Sequence, residues 1–218
     1  MSRKFNKTHR QKQYPTGPDK IGIVGFNDRG FIISEPARAH EHTLQEQSQT
    51  LHQFVSGVTN MTDGLRKGVE MCERAPRFAL RRIWLLSDGY PNRETDGLMA
   101  MVERAKNSYV NINTIGFGDT YDEALLRQIA DCTHNGKFVP VNSLRELTDA
   151  LVAHGNNGKK KTRLKAKRRD GYNRRMETTV LVIDLSGSML DAMNGKTKVK
   201  VVEEAILHLL HYKQQLFS

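Results

Sequence analysis

An α/β fold is predicted for this 218-residue chain: a Rossmann-like, doubly wound, mostly parallel sheet with one antiparallel edge strand. Three observations predict it. Apolar, β-branched runs alternate with amphipathic stretches at the lengths of βαβ units. The first such run meets a turn, Asn27-Asp28-Arg29-Gly30, that sends the chain straight back as a neighbouring strand. Several runs end in Asp, Ser and Gly, and the carboxyl ends of parallel strands are where such sheets hold ligands.

In chain order, Lys20–Phe26 (KIGIVGF) is the first strand, and residues 31–34 return from the turn until Pro36 stops them. Residues 43–56 place Leu44, Leu51, Phe54 and Val55 at helical spacing. Thr62-Asp63 gives a cap signal for a helix over 62–74. Residues 83–86 (IWLL) form a buried strand ending at Ser87-Asp88-Gly89. A helix over 95–107 and a strand from Val110 to Phe117 follow. A helix over 121–132 leads to a strand from Lys137 to Val141, and Ser143 caps a helix reaching about His154. After a polar, basic stretch the pattern resumes. Residues 178–183 (TTVLVI) are an apolar strand running into Asp184-Leu185-Ser186-Gly187-Ser188, and Val201, Val202, Ala205, Ile206, Leu209 and Leu210 mark one helix face.

The net charge of +10 is uneven. Residues 159–175 hold ten Lys/Arg against one Asp, and residues 1–20 hold six against one, so the remainder is mildly acidic. No apolar run reaches the ~18 residues of a membrane helix, and the basic amino terminus has no apolar stretch after it. These features point to the cytoplasm. Cys72 and Cys132 lack paired spacing and read as free thiols; His40 and His42 read as surface residues.

Asp184, Ser186, Ser188, Asp88 and Thr62 are the candidate metal ligands. Two carboxylates and three hydroxyls are a hard oxygen set suited to Mg²⁺, or to Mn²⁺ or Ca²⁺. The i, i+2, i+4 spacing of Asp-x-Ser-x-Ser lets one tight loop turn several oxygens inward. Thr59 is an alternative to Thr62.

DLSGSM after an apolar strand resembles the first segment of the metal-ion-dependent adhesion site of von Willebrand factor A (vWA) domains. DKIGIVGF, IWLLSDGYPN and NINTIGFG resemble further strands of that family, and residues 125–151 resemble its closing helix–strand–helix. The resemblance implies that Ser186, Ser188 and Thr62 ligate the metal directly, while Asp184 and Asp88 act mostly through water. It further implies a sixth position for an Asp or Glu of a partner protein and a non-enzymatic interaction module. A AAA+ ATPase of the MoxR or chelatase type is the partner class the intracellular members suggest.

The order departs from the family, whose DxSxS strand and helix come first. Here they come last, so the chain looks circularly permuted, in four segments. Residues 1–18 are a basic extension, 19–155 the body, 156–177 a basic linker, and 178–218 the first strand and helix carrying DxSxS. Closure within one chain and segment exchange between two chains both fit this order.

Other classes fit less well. A haloacid-dehalogenase-type phosphotransferase needs Asp where Ser186 stands. No GxGxxG follows the first strand, and no base–nucleophile pair is visible. The alternative function is nucleic-acid binding through Lys159, Lys160, Lys161, Arg163, Lys165, Lys167, Arg168 and Arg169, with Tyr172 nearby; such a run neutralises phosphates without reading sequence.

Overall fold

The computed structural model describes residues 18–92, 95–153 and 176–216. Strand β1 (Lys20–Phe26) turns into β2 (Gly30–Arg38), followed by α1 (His42–Ser48) and α2 (Met61–Glu73). Then come β3 (Leu80–Ser87), α3 (Leu98–Asn107), β4 (Val110–Phe117), α4 (Glu123–Asp131), β5 (Phe138–Val141) and α5 (Leu144–Ala153). The last part holds β6 (Glu177–Asp184), a hairpin of β7 (Ala192–Met193) and β8 (Lys196–Thr197), and α6 (Lys198–Gln215).

Among the described residues the main sheet has the order β2-β1-β6-β3-β4-β5. All its pairings are parallel except β1 with β2. The strand latest in sequence thus lies between β1 and β3, and every residue of it is buried. Its side chains alternate as the pleat requires. Leu181 and Ile183 join Trp84, Leu86 and the apolar faces of α1, α5 and α6 on one side of the sheet. Val180 and Val182 join Ile83, Leu85 and the faces of α2, α3 and α4 on the other. This two-sided burial explains the continuous apolar run TTVLVI. Helix α2 lies close on the sheet because Gly68 has no side chain: a methyl there would stand 2.5 Å from Val182 Cγ2.

Local departures from the sequence expectation have local causes. Strand β2 runs through Pro36, since an edge strand needs no outward N–H from that residue, and its register against β1 shifts near Ile21–Val24. The single helix expected over 43–56 is broken into α1 and a 3₁₀ turn at Leu51–Phe54. Helix α2 is capped by Asn60, whose side-chain oxygen accepts from Asp63 N; Asp63 itself accepts from Gly30 N at 2.6 Å and pairs with Arg66. Asn60 is only 1% exposed. Ser143 caps α5 as expected, accepting from Glu146 N while Glu146 accepts from Asn142 N. Cys72 is buried and Cys132 half-buried, both as free thiols, and burial pushes the Cys72 thiol up to about 12.

At the base of the sheet a buried ionic cluster joins the late elements to the early ones. Lys213 Nζ on α6 lies 2.7 Å from Asp19 Oδ2 and 3.5 Å from Glu177 Oε1. Arg82 on β3 donates to the same Glu177 oxygen at 3.2 Å, and Glu177 N donates to Asp19 Oδ1. Lys213 and Asp19 are each 3% exposed at the side chain. A buried pair broken on one side leaves an uncompensated charge. Lys213→Met is therefore expected to lower stability by about 3–5 kcal/mol, read as a shift of the urea midpoint. A loss under ~1 kcal/mol would show that the cluster does not clasp α6.

Candidate metal centre

The carboxyl ends of β6 and β3 are neighbours; one fully buried carboxylate, Asp184, closes β6, and another, Asp88, directly follows β3. After Asp184 the chain turns through Ser186 into a 3₁₀ turn, Gly187–Leu190. Asp184 Oδ1 accepts from Ser186 N at 3.0 Å, and Oδ2 accepts from Ser87 Oγ at 2.8 Å. The Ser186 and Ser188 hydroxyl oxygens stand 3.1 Å apart, and Ser188 Oγ donates to Asp88 Oδ1 at 2.9 Å. The structure therefore brings together four of the five residues singled out from the sequence, and links them through hydrogen bonds.

The threonines occupy different places. Thr62 lies in the first turn of α2 with its methyl toward Gly97, where an added methyl would come within 3.2 Å. Thr59 precedes the helix cap and faces the Asp88–Gly89 loop: a methyl added at Gly89 would stand 3.9 Å from Thr59 Oγ1. Its backbone is fixed to the same loop by Thr59 N→Asn92 Oδ1 at 3.0 Å and Asn92 N→Thr59 O at 3.3 Å. Two further bonds tie this segment to the DxSxS loop, Ser56 N→Leu185 O at 2.9 Å and Gly187 N→Gly57 O at 3.3 Å. The three loops make one rim, and each exposes a large apolar side chain: Val58, Tyr90 and Leu190.

Sequence reasoning missed two partners. Ser87 stands next to Asp88, so its contact with Asp184 follows from the adjacency of β3 and β6, which periodicity alone does not give. Lys198 opens α6 and places its ammonium 2.7 Å from Asp88 Oδ2, with its side chain 8% exposed; no local signal marks it.

The donor set fits a hard divalent ion. Among the described residues no three His, Cys, Asp or Glu side chains converge, so any cation here must rely on hydroxyls as well as the two carboxylates. Octahedral Mg²⁺ at 2.0–2.1 Å sets neighbouring oxygens about 2.9 Å apart, close to the observed spacing of the two serine hydroxyls. Burial, and next the charge of Asp88, pushes the Asp184 carboxyl from 3.8 up to about 6, against the opposing hydrogen bonds of Ser186 and Ser87. An ionised Asp184 at neutral pH is thus a destabilised anion that a cation would relieve.

The basic residues Lys159, Lys160, Lys161, Arg163, Lys165, Lys167, Arg168 and Arg169 lie outside the described residues. No helix among the described residues is long and apolar enough to cross a membrane.

Comparison with known proteins adds the following. The family model for the von Willebrand factor type A domain matches residues 11–153. An uncharacterized protein of Synechocystis sp. (strain ATCC 27184 / PCC 6803 / Kazusa) is 23% identical over 114 residues, covering 51% of this chain and 27% of that protein. Among solved structures, the von Willebrand factor type A protein from Catenulispora acidiphila aligns with a TM-score of 0.51 at 20% identity, covering 58% of this chain and 30% of that one. That likeness concerns the fold. The chain spans less than a third of the length of either relative.

The Asp184 shift has a measurable consequence. Because the folded value is raised, the native state keeps a proton that the unfolded chain releases. This contribution is fully present below about pH 4 and is lost as pH rises through about 6. With chelator present, Asp184→Asn is expected to gain up to roughly 3 kcal/mol over the parent at pH 7.5 and little at pH 4. Urea unfolding at the two pH values checks this; a variant less stable at pH 7.5 would contradict it.

Proposed function

The chain belongs to the von Willebrand factor type A domain family, whose members typically mediate protein interactions, and from this premise we propose that it is a non-enzymatic interaction module gripping a partner's carboxylate through one divalent cation. The observation that supports this most is the meeting of Ser186, Ser188, Asp88 and Asp184 at two adjacent strand ends. Ser186 and Ser188 would hold the metal directly, with Asp184 and Asp88 orienting water and offsetting charge. Thr59 is the better-placed threonine, since its hydroxyl faces the loop that carries Asp88; Thr62 is the less favoured choice. When bound, Mg²⁺ supplies an open coordination position for an Asp or Glu oxygen of the partner. The protein's own residues set its depth and charge, and the apolar rim of Val58, Tyr90 and Leu190 gives a partner surface something to cover.

The permuted order is part of the same reading. The matched region ends at residue 153, yet the part that follows it supplies the middle of the sheet and three of the four converging residues, Asp184, Ser186 and Ser188. The Lys213–Asp19 pair sets the end of α6 beside the start of β1, which is where the family's order would join them. A AAA+ ATPase remains the partner class that the resemblance suggests.

Calorimetry with Mg²⁺ tests the reading. The parent is expected to bind, and Asp184→Ala and Ser186→Ala to lose at least ~10–100-fold in affinity. Unchanged binding in both variants sinks the proposal. Thr59→Ala should weaken binding more than Thr62→Ala; the reverse would return the threonine role to Thr62.

A further inference from the structure

Lys198 is the first residue of α6, and its backbone N donates to Asp191 O at 3.0 Å, which closes the loop around the β7–β8 hairpin. Its side chain then runs inward rather than out to solvent. Gly118, at φ +89°, leaves room for it: a methyl at that position would stand 3.2 Å from Lys198 Cε and 3.5 Å from Nζ. The ammonium ends 2.7 Å from Asp88 Oδ2, and a second carboxylate, Asp191 Oδ2, lies 4.0 Å away. The two acids differ sharply, since Asp88 is fully buried and the Asp191 side chain is 68% exposed. A lysine this buried, with a cradle shaped for its stem and two carboxylates in reach, is placed to exchange partners over a short distance.

We propose, on the basis of the metal-site reading above, that Lys198 is a resident cation of that site. It neutralises Asp88 before a divalent ion binds, shifts to Asp191 when one enters, and by staying nearby makes the site select a singly charged carboxylate. The selection follows from charge. Among the buried groups Asp88 and Asp184 contribute two negative charges and Lys198 one positive, and the charge of the solvent-exposed Asp191 is largely screened, so a divalent ion leaves the buried site with one positive charge in excess. Uncompensated charge in a low-dielectric interior is strongly unfavourable. One Asp or Glu side chain from a partner cancels it. A neutral oxygen ligand leaves the excess in place, and a phosphate dianion overshoots to a net negative site. Lys198 also opposes the metal until that ligand arrives, because both cations draw on the charge of the same Asp88 carboxylate, Lys198 at Oδ2 and the metal from the Ser188 side at Oδ1. Metal binding and partner binding are thereby coupled.

The test is calorimetry with Mg²⁺ alone, then with Mg²⁺ plus a capped Gly-Glu-Gly peptide or its phosphoserine counterpart, on the full chain at constant ionic strength. Lys198→Met is expected to raise affinity for Mg²⁺ alone at least ~10-fold, whereas Lys198→Arg, which keeps the charge, stays within a few-fold of the parent. The parent should prefer the Glu peptide to the phosphoserine peptide, and Lys198→Met should weaken Glu-peptide binding several-fold. Asp191→Asn, at an exposed position, guards against a folding artefact in the Met variant. It should lower Mg²⁺ affinity in the parent by several-fold and change little in the Lys198→Met background, because the second berth then has no occupant. Folded Lys198→Met with Mg²⁺ affinity equal to or below the parent, or additive effects of the two substitutions, overturns the role of Lys198. Either result leaves the metal site standing so long as Asp184→Ala abolishes binding. If the parent binds no Mg²⁺ even with the Glu peptide, the metal-site reading itself fails and takes this inference with it.

Discussion

Two carboxylates buried side by side are costly, and the carboxyl edge of this sheet is organised around that cost. Asp184 at the end of β6 and Asp88 just past the end of β3 lie side by side with no exposure to solvent. Each must find protein donors in place of the water it lost. Ser87 and the Ser186 amide serve Asp184; Ser188 and Lys198 serve Asp88. The loops that bring these donors are tied to one another and to the segment around Thr59 by backbone hydrogen bonds. Two buried carboxylates with a single ammonium beside them are a poor way to maximise stability and a good way to attract a cation. Local conflict of this kind marks functional sites more often than structural ones.

The opposite edge solves a related problem with a different outcome. Asp19, Glu177, Lys213 and Arg82 are also largely buried, but there the two signs are matched inside the protein. Nothing remains for an outside ion to satisfy. The two ends of the sheet thus hold similar numbers of charged groups with opposite roles. The base fastens α6 and β6 to the body, while at the top the two buried carboxylates Asp184 and Asp88 face the single ammonium of Lys198.

Most of the architecture was legible in the sequence because it rests on periodicity. Lys20–Phe26 and Val110–Phe117 come out with the expected bounds, and the apolar run before Asp184 becomes the strand buried on both faces. The breaks were less legible. Nothing in TLQEQSQTLHQFVS announces the interruption between α1 and the 3₁₀ turn, and Pro36 reads as a stop because the edge position that tolerates it is a property of the whole sheet. At the site, the oxygen donors of the DxSxS loop and Asp88 were recoverable from residue type and strand ends. Lys198 was not, since its partner lies more than a hundred positions away in the chain and lysine at a helix start usually faces water. The choice between Thr59 and Thr62 turns on which residue caps α2, and Asn60 takes that place.

The position of β6 has a consequence for biosynthesis. Strands β1 and β3 share no hydrogen bonds with each other; each pairs with β6 instead. As the chain leaves the ribosome, β2-β1 and β3-β4-β5 emerge as two half-sheets whose inner edges stay open until residues 177–184 appear. Those edges are long, apolar and parallel, the kind of surface that pairs with neighbouring chains when left exposed. Sequence-distant pairing of this sort also slows folding. Until residues 177–184 are made, the inner edges of β1 and β3 are the part of this sheet most open to pairing with another chain.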